Sequence, residues 1–184
     1  MMSATDGFSL RAARRGDLPS LERLIEHSVR ALSVGYYSRE QIDSALRFMF
    51  GVDTRLVDSG SYHVVERERS IVAAGGWSAW GTLFGGDHFK DIDEPRLDPA
   101  VDPARIRAFF VDPGWTRRGL ARMLFDSCAS AAKASGFRSL ELMATLPGEP
   151  LYRALGFREE ERVELTLPDG IRMPLVRMRR PLEG

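Results

Sequence analysis

Apolar residues recur every three to four positions over two stretches in the first third of the chain, which predicts two amphipathic helices. Asp17 stands where it would cap the first helix. The second opens with Ser-Arg-Glu-Gln at 38–41, a capping box in which Ser38 and Gln41 each satisfy a free backbone N–H. A short strand is predicted before them, at 8–13. The apolar positions assigned to the two helices are Leu18, Leu21, Ile25, Val29 and Leu32, and then Ile42, Leu46, Met49 and Phe50.

Short apolar runs bounded by turn residues predict the strands of a sheet. Between two groups of these runs, residues 81–104 are rich in Gly, Asp and Pro, which predicts a long irregular loop of the kind that often carries function. Farther along, Pro-Asp-Gly at 168–170 is typical of a hairpin turn. The predicted strands cover 62–65, 70–77, 105–111, 139–143 and the two segments that flank 168–170.

The segment 105–143 has the order strand, helix, strand, which favours a parallel pair because parallel neighbours need a crossover of this length. Its first strand is expected to place Ile106, Ala108 and Phe110 on one face. The sequence therefore predicts a single mixed α/β domain over residues 1–184. Its central sheet should have six to seven mostly antiparallel strands with one parallel pair, flanked by about four helices.

Composition narrows the function classes. The 184 residues contain 26 Lys and Arg and 26 Asp and Glu, so the net charge is zero, whereas a nucleic-acid-binding domain usually has a basic excess. The single cysteine, Cys128, excludes a disulfide within one chain and leaves no cysteine pair for zinc, so no metal site is expected. The start of the chain lacks the apolar core of a signal peptide, and no apolar run approaches membrane-spanning length. We expect a cytoplasmic protein that binds neither nucleic acid nor membrane.

The stretch 112–119, Asp-Pro-Gly-Trp-Thr-Arg-Arg-Gly, places two arginines and a glycine directly before a predicted helix. The first N–H groups of a helix have no partner inside it and favour an anion such as phosphate. Gly119 lets an anion approach the backbone, and Arg117 and Arg118 add positive charge. The alternative is that these arginines are only solvated surface. A second Arg-Arg-Gly at 14–16 precedes Asp17, whose carboxylate would repel a phosphate, so no ligand is expected there.

Residues 105–157 resemble the GNAT family of acetyl-CoA-dependent N-acetyltransferases, and the likeness extends in order over most of the chain. It rests on a strand, then Arg-Arg-Gly-Leu-Ala at 117–121 opening a helix, then a second strand, and Tyr-Arg-Ala-Leu-Gly-Phe at 152–157. The family's first motif, Gln/Arg-x-x-Gly-x-Gly/Ala, matches 116–121 except that Thr116 holds the first position. Thr145 stands where the family often carries Asn.

The resemblance implies a fold in which the parallel strands diverge and acetyl-CoA lies in the gap. It implies that the pyrophosphate binds at Arg117, Arg118, Gly119, Leu120, Ala121 and Arg122. The backbone near Phe110 and Val111 would bind pantetheine and the developing oxyanion. Tyr152 resembles the family's proton donor. Glu141, the acid nearest to this site in sequence, is the candidate base, and the alternative is that it is only an outward strand residue.

The function that this resemblance implies is acetyl transfer to the amine of a small molecule or peptide, by direct attack in a ternary complex. Two other functions stay open: a non-catalytic acyl-CoA-binding or regulatory module, and a nucleotide-phosphate-binding protein. Tyr152 favours the enzyme, because a pure binder needs no acid beside the sulfur. The sequence leaves open whether the protein forms a homodimer.

Several other residues have both a functional and a structural interpretation. Cys128 falls in a helix stripe and is expected to pack rather than to act as a nucleophile. The histidines, His27, His63 and His88, are expected to be surface or core residues. Acids of the long loop would attract a cationic amine or would simply be solvated. These acids are Asp87, Asp91, Asp93 and Glu94. Candidates for an acceptor pocket, or for the core, are Tyr36, Tyr37, Trp77, Trp80 and Phe84.

Overall fold

Seven strands form one sheet in the computed structural model, which describes residues 7–89 and 94–182. The strand order is β1-β2-β3-β4-β5-β7-β6, and every neighbouring pair is antiparallel except β4 and β5. This confirms the predicted mixed, mostly antiparallel fold. The strands are β1 (Phe8–Ala12), β2 (Tyr62–Arg67), β3 (Ser70–Ser78), β4 (Ala104–Val111), β5 (Ser139–Thr145), β6 (Arg158–Thr166) and β7 (Arg172–Pro181).

Five α-helices in the described residues cover the sheet. The first face packs against α1, α2 and α3, whose apolar residues share a cluster with Tyr62, Val64 and Leu175 of the strands. The second face packs against α4, which buries Phe125 and Cys128 against Leu140 and Leu142. The helices are α1 (Leu18–Leu32), α2 (Arg39–Phe48), α3 (Thr54–Asp58), α4 (Leu120–Ala134) and α5 (Glu149–Ala154).

The parallel pair is joined over a very short length. Only Ala104 with Leu140 and Arg105 with Glu141 are partners, although β4 has eight residues and β5 has seven. Beyond these positions the two strands share no ladder, while β4 continues to pair with β3 and β5 with β7. The predicted crossover helix between them is α4. The carboxyl ends of β4 and β5 therefore form the two arms of an open splay.

Two predicted helix caps have different outcomes. Ser38 accepts a hydrogen bond from the Gln41 N–H at 3.1 Å, and the Gln41 side chain accepts one from the Ser38 N–H at 2.9 Å, which confirms the capping box. The prediction for Asp17 is wrong, since its side chain makes no cap on α1. Its carboxylate accepts hydrogen bonds from the Arg14 N–H and the Arg11 guanidinium instead, closing a 3-10 turn before the helix.

A bulge in β4 changes the predicted alternation of its side chains. Between the partners Gly76–Arg107 and Ala74–Phe110, β4 has one residue more than β3, and Ala108 adopts a left-handed φ of 54°. Ile106 therefore packs on the second face, whereas Ala108 and Phe110 pack on the first. The expectation that all three share a face was wrong, because an extra residue reverses the alternation.

Candidate active site

Two neighbouring aromatic rings lie on opposite faces of the sheet at the open end of the splay, and the bulge sets which face each ring takes. Phe109 packs on the second face, over Gly75, where an added Cβ would lie 2.4 Å from its ring. Phe110 packs on the first face, edge-on to Phe50 with the ring centroids 6.0 Å apart. Val111 packs against the cluster around Leu120. The side chains of Phe110 and Val111 are thus used in packing, so a ligand in the gap would meet their backbone.

Between β4 and α4 the chain forms an open, positively charged turn. Arg117 and Gly119 both have left-handed φ angles, 63° and 78°, and Gly119 is the residue that precedes the first turn of α4. No side chain caps this helix, and a Cβ added to Gly119 would meet no atom within 4 Å. The predicted anion site is therefore an uncapped helix N-terminus with free space in front of it.

The other residues predicted for this site have two roles. Leu120 is 2% exposed and anchors the helix to the core, and Ala121 is half-buried. Arg117, Arg118 and Arg122 are exposed and form no ion pair with any residue that the structure describes. Arg118 lies over the ring of Trp115, 5.0 Å from its centroid. These guanidinium groups are available to an external anion.

Tyr152 lies on α5, next to the splay. Its ring is half-buried between Phe109 and Phe157, with centroid distances of 6.3 and 5.8 Å. Burial raises the pKa of the Tyr152 hydroxyl above its ordinary value, so the phenol is protonated at neutral pH. Cys128, fully buried in α4, has its thiol pKa raised to about 12 by burial, and its surroundings agree with the predicted packing role. Tyr152 and Cys128 therefore both lie on the second face, and burial keeps both the phenol and the thiol protonated at neutral pH.

A model of the acetyltransferase (GNAT) domain matches residues 58–159, more than half of the sequence and every element of the splay. This chain belongs to the GNAT family. The matched region contains β4, the Arg-Arg-Gly turn, α4, β5 and Tyr152. The family resemblance inferred from the sequence is confirmed.

Solved structures of GNAT proteins share the fold at low sequence identity. A GCN5-related N-acetyltransferase of Rhodopseudomonas palustris aligns over 99% of this chain and 100% of its own, with TM-score 0.71 and 16% identity. The PaiA N-acetyltransferase of Thermoplasma acidophilum, in complex with coenzyme A, aligns over 95% and 98%, with TM-score 0.64 and 14% identity. The ribosomal-protein-S18-alanine N-acetyltransferase of Escherichia coli aligns over 96% and 95%, with TM-score 0.58 and 16% identity. Comparison with functionally curated proteins gave no significant match.

Glu141, the predicted base, lies at the closed end of this GNAT splay. It occupies the last paired position of β5, opposite Arg105, and is only 5% exposed. Its carboxylate contacts the guanidinium of Arg105, and that of Arg177 at 3.8 Å. These contacts favour a structural role, because a carboxylate held between Arg105 of β4 and Arg177 of β7 joins β5 to both of its neighbouring strands.

The long loop is held to the first face by buried charges that sequence reasoning missed. Arg107 and Asp53, both almost fully buried, form an ion pair at 3.0 Å. Arg107 also donates to the carbonyl oxygens of Thr82 and Gly85. Charged residues are expected at the surface, so the sequence did not predict a buried ion pair, least of all one whose members are 54 residues apart.

The described acids of the loop have structural partners. Glu94 is nearly buried and pairs with Arg55 at 2.5 Å, and Asp87 accepts a hydrogen bond from the Thr54 N–H at 3.0 Å. Asp91 and Asp93 lie outside the described residues. The predicted attraction of a cationic amine thus receives no support from Glu94, whose charge is already paired inside the fold.

A surface groove between α1 and α2 reaches the first face of the splay. Its lining includes Phe50, the residue in contact with Phe110 of β4, and five of its nine lining residues are charged. One of them, Arg30 of α1, pairs with Glu26 on the same helix and with Asp43 on α2, and so bridges the two helices. The groove is lined by Glu22, Ile25, Glu26, Arg30, Asp43, Leu46, Arg47, Phe50 and Gly51.

The five aromatic candidates for an acceptor pocket are dispersed. Tyr37 is buried in the first-face core, Trp77 packs against Phe137, and Phe84 packs against Phe89. Trp80 lies near Arg55, and Tyr36 is exposed. Within residues 7–89 and 94–182 there is no cluster of three or more metal-ligating side chains, and no helix long and apolar enough to cross a bilayer.

Proposed function

We propose that this GNAT protein is an N-acetyltransferase that moves an acetyl group from acetyl-CoA to the amine of a small molecule or peptide. The proposal rests on one observation: the gap between β4 and β5 opens beside the uncapped N-terminus of α4. A long cosubstrate with an anionic end and an amide-bearing arm suits this arrangement, because the helix favours phosphate and the unpaired strand edges favour amides.

The residues available to acetyl-CoA fit its two halves. The N–H groups of Gly119–Arg122, together with the guanidinium groups of Arg117, Arg118 and Arg122, would hold the pyrophosphate. The backbone of β4 at Phe110 and Val111 would hold the pantetheine arm and donate to the carbonyl oxygen as negative charge develops there. The bound thioester supplies an activated acetyl group.

Tyr152 is the proposed proton donor to the departing sulfur. Its raised pKa keeps the hydroxyl protonated at neutral pH. Its neighbours Phe109 and Phe157 provide an apolar site, where a departing thiolate has a high free energy unless it gains a proton. Because Cys128 is buried and its thiol pKa is raised to about 12, a covalent acetyl-cysteine is disfavoured, and the amine nitrogen is proposed to attack the thioester carbon directly. The C–N bond forms and the C–S bond breaks, Tyr152 protonates the sulfur, and the proton that the amine loses passes to water, which reprotonates Tyr152. We assign no step to Glu141, whose charge is held by Arg105.

The groove between α1 and α2 is the proposed path of the acceptor, since it leads to Phe50 and Phe110 on the side of β4 opposite Tyr152. The similar E. coli enzyme is named for acting on the alanine of a ribosomal protein, so peptide N-termini belong in the tests beside small amines. The predictions of a cytoplasmic location, where acetyl-CoA is available, and of a homodimer remain proposals.

The decisive experiment is thiol release from acetyl-CoA with a panel of alkyl amines, polyamines, amino acids and short peptides with free N-termini. We expect turnover with at least one class. With that acceptor, Tyr152→Phe should lower kcat by about 10²–10⁴-fold, the usual contribution of general acid catalysis, and leave acetyl-CoA affinity nearly unchanged by calorimetry.

Two outcomes would contradict parts of this proposal. Acetyl-CoA binding without thiol release for any amine would indicate the non-catalytic binding module. Full kcat in Tyr152→Phe, where chemistry limits turnover, would mean that Tyr152 only packs against Phe109 and Phe157.

A further inference from the structure

The β4 arm of the splay is fixed by a buried tyrosine. The carbonyl group of a bulged residue is displaced from the regular ladder, and Ala108 is such a residue, with φ of 54°. Its carbonyl oxygen accepts a hydrogen bond of 2.8 Å from the hydroxyl of Tyr62. Tyr62, on β2, is 2% exposed and packs in the first-face core. The core therefore holds the bulge that directs Phe109 to one face and Phe110 to the other.

The β5 arm ends on a second buried tyrosine. The regular β5–β7 ladder stops at Thr145 with Leu175. One residue farther on, the Tyr37 hydroxyl accepts a hydrogen bond from the Leu146 N–H at 2.9 Å and donates one to the Pro174 carbonyl at 2.7 Å. The Tyr37 hydroxyl therefore bridges the backbone after β5 and the backbone of β7, at the point where the two strands no longer pair directly. It fixes the start of the turn that leads through Gly148 into α5 and Tyr152.

We propose that Tyr62 and Tyr37 are a pair of positioning residues whose hydroxyls fix the two arms of the β4–β5 splay. The inference rests on the acetyl transfer proposed above. Tyr62 acts through Ala108 on the backbone that is to contact the acetyl group. Tyr37 acts through Leu146 on the segment that carries the proton donor. Since no ladder joins the arms beyond Arg105 and Glu141, their relative placement depends on contacts of this kind.

Both hydroxyls keep their protons over the physiological range. Burial raises the pKa of Tyr37 to about 12, and burial also raises the pKa of Tyr62 above its ordinary value. The positioning effect should therefore be the same from about pH 6 to pH 9, which separates these residues from a group that exchanges a proton during turnover.

The test uses Tyr62→Phe and Tyr37→Phe in the full chain, with Ser44→Ala as the matched control. Ser44 is also buried, and its hydroxyl donates to Asp169 at about 2.8 Å, away from the splay. We expect amide hydrogen exchange to rise about 10-fold at 109–111 in Tyr62→Phe and at 146–148 in Tyr37→Phe, the effect of losing about one hydrogen bond locally. The value of kcat should fall about 10–100-fold in each, with an unshifted pH profile, as expected for misplacement of about 1 Å or less. In Ser44→Ala, kcat should not change.

A second variant separates positioning from stability. Ala108→Gly relieves the left-handed backbone, so adding it to Tyr62→Phe should restore stability without restoring kcat. Recovery of kcat together with stability would overturn the proposal, as would unchanged kcat in both Phe variants or a uniform rise in exchange across the sheet. If the wild-type protein releases no thiol, acetyl transfer is contradicted, and the exchange pattern alone still decides whether the two hydroxyls fix the arms.

Discussion

The tripeptide Arg-Arg-Gly occurs twice in this protein, each time shortly before a helix of 15 residues, with opposite consequences. At 14–16 the fold supplies carboxylates of its own: Arg15 pairs with Asp58 at 2.6 Å, and the carboxylate of Asp17 accepts a hydrogen bond from the backbone N–H of Arg14. At 117–119 the arginines are exposed and have no carboxylate partner among the described residues.

The difference arises from the residue that follows the glycine. Asp17 supplies an internal anion and closes a 3-10 turn, whereas Leu120 carries no charge and anchors α4 in the core. The backbone differs as well, since Gly119 is left-handed and Gly16 is not. An anion is therefore expected at an Arg-Arg-Gly stretch only where no carboxylate of the protein already accepts the backbone N–H groups beside it.

The largest expected effect is on acetyl-CoA affinity, when a carboxylate is introduced into the Arg-Arg-Gly stretch at 117–119. Gly119→Asp should weaken acetyl-CoA binding about 100-fold or more, because two like charges about 4 Å apart near a protein surface repel by several kcal/mol. Calorimetry with acetyl-CoA measures this loss.

Two matched variants isolate the charge. Gly119→Asn has the same shape and tolerates a left-handed backbone, so it should lose far less affinity. Gly16→Asp makes the identical substitution in the first stretch and should leave affinity unchanged. Equal losses in the Asp and Asn variants at 119 would attribute the effect to strain and remove the argument for a phosphate there.

A smaller effect is expected from the arginines. Replacing Arg117 and Arg118 by alanine should raise the Kd for acetyl-CoA about 10-fold at low salt, since exposed charge pairs contribute up to about 1 kcal/mol each. The same affinity should also become less sensitive to salt. The double alanine variant of Arg14 and Arg15 is the control, and a similar loss there would contradict the contrast between the two stretches.

The smallest effect is on stability and concerns Asp17. Hydrogen bonds from Arg11 lower the pKa of its carboxylate, so the charged form stabilises the fold above the unfolded pKa of about 4, and this stabilisation is lost as pH falls through the lower folded pKa. Asp17→Asn should therefore reduce the free energy of unfolding by about 1 kcal/mol at pH 7, measured in urea, with the difference shrinking below about pH 4.

Asp58→Asn tests whether burial matters for this effect. Asp58 pairs with Arg15 at the exposed surface, and its loss should change the free energy of unfolding little. A pH-independent difference between Asp17→Asn and the wild type would mean that the Arg11 contact is not the cause.

Local signals made much of the fold predictable. The Ser38–Gln41 box, the 168–170 turn and the strand–helix–strand order of 105–143 each depend on neighbours in sequence, and all three appear in the structure. The Arg-Arg-Gly turn and Tyr152 could be proposed as site residues from the sequence because a motif of known spacing carries them. That Asp17 serves a 3-10 turn instead of α1 could not be found, since its partner Arg11 lies on the preceding strand.

What escaped prediction depends on distant contacts. The bulge at Ala108 has no glycine to mark its positive φ, so simple alternation was assumed for β4. Tyr62 lies 46 residues from Ala108, and Tyr37 lies 109 residues from Leu146, so neither hydroxyl can be assigned to the splay without the assembled sheet. Glu141 was chosen for closeness in sequence, but the register places it at the closed end.

The position of β7 has a consequence for how the protein is made. Although β7 follows every other strand in the chain, it lies inside the sheet between β5 and β6. During synthesis, β5 cannot pair with its second neighbour until β7 has left the ribosome. The Tyr37 hydroxyl likewise cannot donate to the Pro174 carbonyl, 137 residues later, before that point. We therefore expect the β6–β7 hairpin to join β5 late, through β7, in a long-range step that leaves the edge of β5 exposed to aggregation until then. A nascent chain stalled before β7 should hold the Arg-Arg-Gly turn and its helix but lack a completed cleft.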